Sequence, residues 1–249
     1  NAFKGMSEYL YEKFGGSLRI KKPQKEHHKV LYVWSLRSRE GCKKMIEKIF
    51  PYLKLKKDQA ILMLDFLNID HFDQHEGEKF NLKMKNLNRD ILFNPLGFNQ
   101  QSINDSNDPI FWSYFAGIMD TEGSFTMKKE KPHSGSISFR YNPVIQLTMV
   151  PVACLNYIRE NYSSGSFCVP KANCTGKGYA YKMNLCGKLN CINFIKNILP
   201  YLKHKNAQAL LILKFFEDFN PVKHRRAGVP QEILEFREDV YLQMRSLNA

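Results

Sequence analysis

The sequence repeats itself. Residues 49–66 (IFPYLKLKKDQAILMLDF) recur 149 positions later as residues 198–215 (ILPYLKHKNAQALLILKF), with 11 of 18 residues identical. Pro51/Pro200, Lys54/Lys203, Lys56/Lys205 and Gln59/Gln208 are among the shared pairs. Upstream, 32–36 matches 181–185 in pattern, and Gly16-Ser17 matches Gly165-Ser166. With a one-residue slip, Tyr9-Leu10 and Phe14 fall on Tyr157-Ile158 and Tyr162. Cys42 and Cys191 occupy matching positions, and MKNLN before Arg89 mirrors MRSLN before Ala249. A duplication on this scale constrains the fold strongly, because one set of elements must serve both copies.

Each copy shows the same order of elements. Apolar residues at spacings of three and four predict helices over 7–14 and 153–162. Period-two alternation predicts strands over 17–21 and 30–36 in the first copy, and over 166–169 and 179–185 in the second. A helix follows in each, over 41–50 and 189–199. Pro51 and Pro200 then read as the start of a further helix ending near 68 and 219, since proline fits a first helical turn. The second copy has extra material in front: a helix over 111–120 and strands over 124–129 and 137–149. Its order is therefore αββαββα. The expected architecture is α+β, with a partial repeat over 1–90, a linker over 91–111 and a complete repeat over 112–249.

Charge follows the copies. The chain carries a formal +13. Residues 1–68 contribute +8 and 112–221 contribute +7, whereas the stretch 69–111 is −3. Such a balance points to a polyanionic partner, nucleic acid first and anionic membrane second. No apolar run approaches the roughly 20 residues of a membrane span; nucleic acid, and no membrane, is the expected partner. A content of 43% hydrophobic and 13% aromatic residues excludes a disordered chain. Six cysteines, scattered and few for this length, read as reduced thiols in an intracellular compartment.

The segment 112–125 (WSYFAGIMDTEGSF) carries the most chemistry. Ala116 and Gly117 fall mid-helix, where glycine costs about 1 kcal/mol relative to alanine. Close approach of another helix would offset that. Asp120 and Glu122 fall at the C-terminal end, where the helix dipole disfavours negative charge, and Gly123 supplies the stop before a strand. An acid held there beside a basic surface fits a divalent-metal ligand for phosphodiester chemistry. A solvated helix end with a glycine cap is the other reading of the same residues. His71 and His75 have zinc-compatible spacing but no cysteine pair to complete a site. No glycine-rich phosphate loop and no Ser/Cys–His signature is present.

Residues 115–123, FAGIMDTEG, resemble the LAGLIDADG motif of homing endonucleases, with Glu122 at the second acid. The resemblance covers the second copy from Trp112 to Asn248 and the first copy over 1–88, each with the family's Pro-Tyr-Leu-Lys-x-Lys-x-x-Gln-Ala segment. It implies two pseudo-symmetric αββαββα domains whose antiparallel sheets form a saddle over a long DNA major groove, the first domain incomplete at its N-terminus. The motif helices would pack together, placing Ala116, Gly117 and Asp120 at the helix interface. The implied activity is Mg²⁺-dependent hydrolysis making a double-strand break, with Glu122 as catalytic metal ligand and Lys56 and Lys205 as active-site lysines. Two departures stand out. Met149 occupies a position where the family often has glutamine, and only one motif helix is present. An N-terminal segment or a second chain would supply the other.

Strand alternation identifies the side chains expected to meet DNA. Thr126 and Lys128 oppose Phe125 and Met127. Arg140, Asn142, Gln146 and Thr148 oppose Ile145 and Leu147. Lys182 and Asn184 alternate with Tyr181, Met183 and Leu185, and Arg19 and Lys21 alternate with Leu18 and Ile20. Arg, Lys, Asn and Gln suit bidentate contacts with purine edges, although an ordinary water-facing sheet has the same pattern. Lys22, Lys25, Lys129, Lys131, Lys171 and Lys177, together with Lys21, read as loop lysines that touch phosphates or nothing at all. The leading expectation is a sequence-specific DNA endonuclease acting on double-stranded DNA. The alternative is a non-cleaving binder of structured RNA, such as an intron splicing cofactor or a degenerate scaffold in a ribonucleoprotein. The Lys/Asn/Phe-rich composition points to an AT-rich mitochondrial, chloroplast or phage genome.

Overall fold

The computed structural model describes residues 4–23, 30–69, 73–92, 102, 104–132, 138–149, 152–168, 180–218 and 229–248. The chain divides into two compact units, Asn1–Leu96 with Pro151–Cys154, and Gly97–Val150 with Leu155–Ala249. The first carries α1 (Lys4–Phe14), β1 (Ser17–Lys21), β2 (Leu31–Ser35), α2 (Arg39–Ile49), a 3-10 turn (Phe50–Tyr52), α3 (Lys57–Leu67) and α4 (Gln74–Leu92). Then come α5 (Pro109–Thr121), β3 (Gly123–Glu130), β4 (Arg140–Met149), α6 (Val152–Asn161), β5 (Ser166–Cys168), β6 (Tyr181–Leu185), α7 (Lys188–Ile198), α8 (Asn206–Asp218) and α9 (Gln231–Leu247). The architecture is α+β, with a two-stranded antiparallel sheet β1-β2 and a four-stranded antiparallel sheet in the order β3-β4-β6-β5.

Helix α5 starts where its sequence dictates. Asp108 stands at the N-cap and accepts the Ile110 N–H at 2.9 Å, and Pro109 occupies the first turn. Phe111, Trp112 and Phe115 lie on its inner face at 0–5% exposure. They meet Tyr162 and Phe194 in an aromatic cluster, with Phe115 and Phe194 centroids 5.1 Å apart and Trp112 and Tyr162 5.6 Å apart. Ile145, Leu147, Met183 and Leu185 complete this core from the sheet.

The first unit covers the equivalent surface less well. Leu53, Met63 and Phe66 are half-buried, whereas their counterparts Leu202, Ile212 and Phe215 are 3%, 0% and 1% exposed. In the second unit, α5 packs on α7 and β3 packs on α8 and α9. The described residues of the first unit include no counterpart of α5, β3 or β4.

Two expectations are corrected. Pro51 does not begin the long helix. The chain turns through Phe50–Tyr52, extends at Leu53 (φ −69°, ψ 129°), and re-enters helix only at Lys57. The second unit breaks likewise before α8 starts at Asn206. A proline favours the first turn of any helical piece, and here the piece is one turn long. Helices α4 and α9 were not anticipated at all, although both contain the matched MKNLN and MRSLN segments. The remaining element boundaries lie within three residues of expectation; Ile137, Val169 and Tyr179 fall outside the described residues.

Candidate active site and nucleic-acid interface

The four-stranded sheet segregates its side chains by parity. Phe125, Met127, Ile145, Leu147, Met183 and Leu185 are buried on one face. Thr126, Lys128, Arg140, Asn142, Gln146, Thr148, Lys182 and Asn184 are half-buried or exposed. Register places Ser124, Gln146, Asn184 and Ser166 in one row across all four strands, with Thr148, Lys182 and Cys168 in another. Asn142 donates to Glu130 at 2.8 Å and Gln146 donates to Thr148 at 3.1 Å, so these polar groups are ordered against one another. In the first unit, Arg19 and Lys21 are exposed, but so is Ile20 at 64%, leaving β1 without a buried face.

Lys129 is corrected. It shares the parity of Phe125 and Met127 and turns toward α9. Its Nζ lies 2.6 Å from Glu238 and 4.6 Å from the Phe139 ring centroid, with Tyr141 and Tyr241 at 5.7 Å. A hydrogen bond from Lys129 holds the Glu238 carboxyl below the usual range, with Tyr141 acting in the same direction. Lys129 therefore fastens a helix to the sheet. Lys21, Lys22 and Lys131 are exposed, while Lys25, Lys171, Lys177 and His71 lie outside the described residues.

Polar groups gather at the end of α5. Glu122 is the exposed C-cap residue, its N–H bonded to the carbonyls of Ile118 and Met119. Behind it, Lys205 is 6% exposed and its Nζ donates to Met119 O at 2.8 Å and Gly123 O at 2.6 Å. Burial pushes the Lys205 ammonium down, against the opposing pull of Asp120 and Glu122. The lysine thus bridges the backbone on both sides of the acid.

Asp120, expected at a helix interface, instead points into its own unit at 2% exposure. Its Oδ2 accepts the Lys203 N–H at 2.7 Å, and its Oδ1 accepts those of His204 at 3.2 Å and Lys205 at 3.0 Å. These amides immediately precede α8, whose dipole presents its positive end there. That environment compensates the unfavourable end of α5. Ala116 is fully buried in the same core. Gly117 is exposed, and a Cβ added to it would meet no described atom within 4 Å.

Gly123 has a different reason for being glycine than a helix stop. It is not among the described glycines with positive φ. A Cβ at this position would lie 2.7 Å from the Met119 Cα, so close passage of the backbone excludes any side chain.

The counterpart lysine behaves otherwise. Lys56 is exposed and its Nζ donates to Asn88 Oδ1 at 2.9 Å. Asn248, which matches Asn88, instead donates to Phe125 O at 3.0 Å. Two side chains that tie α8 and α9 to β3 in one unit therefore tie to each other in the other. Asn248 was missed as a site-supporting residue, though the repeated MxxLN signature marked it. Among the described residues, no three His, Cys, Asp or Glu side chains gather as a metal-binding group.

No family model and no curated protein matches this sequence. Solved structures do. I-SmaMI bound to uncleaved DNA in the presence of calcium ions is similar over 98% of this chain and 85% of that chain, with TM-score 0.66 and 18% identity. A lysine-to-alanine variant of I-SmaMI gives TM-score 0.65 at 18% identity over the same shares. The meganuclease I-SmaMI on uncleavable DNA with a TTCT central four gives 0.61 at 17%, over 97% of this chain and 83% of that one. The chain has the fold of the LAGLIDADG homing endonucleases. That fold accounts for the placement of FAGIMDTEG on α5, directly ahead of the first strand of the four-stranded sheet.

Proposed function

We propose that this chain is a homing-type DNA endonuclease that hydrolyses phosphodiesters with a divalent metal. The observation that carries the reading is the exposed Glu122 carboxylate, set beside a buried lysine at the end of α5. The polar rows of the β3-β4-β6-β5 sheet support double-stranded DNA as the partner, and I-SmaMI, a structural neighbour, is a DNA-bound meganuclease. In this reading Arg140, Asn142, Gln146, Lys182 and Asn184 read base edges, while Thr126, Lys128 and Thr148 take part in the same face.

Mg²⁺ is the proposed cofactor. A hard carboxylate oxygen suits a cation that keeps its waters and takes phosphate oxygens from the substrate. When bound, such an ion activates water and neutralises developing charge. The chain's own contribution is positional. Glu122 would hold the cation, and the Lys205 ammonium would add fixed positive charge where the phosphorane oxygens develop. Lys56 is the proposed counterpart for the second strand. The half-covered α3 surface beside it is consistent with a second motif helix supplied by another segment or another chain. An organelle or a phage-infected cell is the proposed setting.

The test is cleavage of supercoiled plasmids carrying candidate insertion sites. Wild type with Mg²⁺ is expected to cut a specific site, and Glu122→Gln to lose about 10²-fold or more in rate, as removal of a key charge-stabilising group does, with DNA affinity kept. Tight binding of intron RNA with no cleavage of any site would sink the nuclease reading. The exposed Lys56, bonded to Asn88 and to no acid among the described residues, is the observation on the side of that non-cleaving alternative.

A further inference from the structure

We infer that Asp120 is a positioning residue for Lys205. Its carboxylate locks the segment 203–205 by three backbone bonds, and this lock holds the lysine ammonium across the α5–β3 junction beside Glu122. The kinetic consequence rests on the nuclease reading above; the positional claim does not.

The argument begins with the cost of the arrangement. An ammonium group loses much of its hydration at 6% exposure. Two carbonyl acceptors return part of that loss only if the lysine backbone sits where the side chain reaches both. Asp120 sets that backbone. It bonds the amide of Lys205 itself and those of the two preceding residues, so neither a shift nor a rotation of the segment is free. The lysine in turn bonds Met119 O and Gly123 O, on either side of Glu122. Order therefore passes from Asp120 to Lys205 and from Lys205 to the backbone that aims Glu122.

The molecule contains its own comparison. Lys54 and Lys56 in the first unit match Lys203 and Lys205 in sequence, with the same Pro-Tyr-Leu before them and the same Gln-Ala after. Among the described residues of that unit there is no counterpart of α5, and hence no carboxylate in the place of Asp120. There the lysine is exposed and bonded to an asparagine side chain. The same local sequence leaves the ammonium exposed where, among the described residues, the carboxylate and the two carbonyl acceptors that α5 and β3 supply are all missing. A plain helix-capping role for Asp120 would add stability to α8 but would make no distinction among lysines.

Three measurements test this. In wild type, hydrogen exchange at the amides of residues 203–205 is expected to be slow, and rates equal to those of open loop amides would overturn the lock. Acetylation footprinting by mass spectrometry is expected to find Lys205 at least tenfold slower than the exposed Lys128, and Asp120→Asn to bring the two within about threefold while leaving Lys128 unchanged. A Lys205 rate unaltered by Asp120→Asn overturns the proposal whether or not the chain cuts DNA. For cleavage, Asp120→Asn is expected to lower kcat at constant KM, and to add less than twofold in a Lys205→Ala background. An equal loss in both backgrounds would assign Asp120 to general stability. If Asp120→Asn does not fold, the wild-type exchange rates still decide. A wild type that never cleaves, with Lys205 protected as described, removes the nuclease reading and leaves the positioning intact.

Discussion

At the scale of the residue, the same lysine in two copies has two fates. Lys205 is buried against two carbonyls, and Lys56 lies in water against Asn88. Their removal is expected to differ accordingly. Lys205→Ala removes a buried, charged donor from the carbonyls of Met119 and Gly123 and is expected to cost about 1–3 kcal/mol. Lys56→Ala, an exposed change, is expected to stay within about 0.5 kcal/mol. Urea unfolding midpoints of the two variants measure the contrast, and equal shifts would contradict the burial assigned here. Glu122 was legible in the sequence because the FAGIMDTEG motif names it. The role of Asp120 was not, since its partners stand 83 to 85 positions further along the chain. Gly123 was legible as necessary, but for the wrong reason: a steric approach to Met119 cannot be told from a left-handed turn by composition.

At the scale of the element, α5 carries the Glu122 carboxylate at one end and an open face along its side. Gly117 lies on that face with nothing described within 4 Å of an added Cβ. Gly117→Ala is therefore expected to stabilise the chain by about 0.5–1 kcal/mol through helix propensity, or about 1–4 °C in Tm for a chain of this size. Thermal unfolding of the variant checks this. An unchanged or lowered Tm would mean that the face is covered in solution. Helices and strands with strong periodicity were readable to within three residues. Helices α4 and α9 were missed because their charged faces dilute the apolar period, and α3 was started too early because Pro51 belongs to a separate 3-10 turn. Lys129 was misassigned for a related reason. It sits at the end of β3, where parity and loop proximity give opposite answers, and packing against Glu238 on α9 decides between them.

At the scale of the whole molecule, two basic stretches of similar charge accompany two units with the same run of elements, but the acid and its lysine come together in only one of them among the described residues. The chain alone is accordingly expected to relax supercoiled target plasmid to open circles in Mg²⁺ well before any linear product accumulates. Gel electrophoresis of a time course distinguishes the forms, and linear product appearing at the same rate would require a second, equivalent site.

The sequence by itself determined the duplication, the order of its elements, the motif on α5 and the sign and distribution of charge. These are local or periodic properties, written in neighbouring residues or in exact recurrence. The tertiary structure alone decided which of two identical lysines is buried, that Asp120 faces the 203–205 segment, and that Lys129 clamps a helix. Each of those depends on which distant backbone groups a side chain meets, and burial and hydrogen bonding between such partners are set by packing, which no local period encodes.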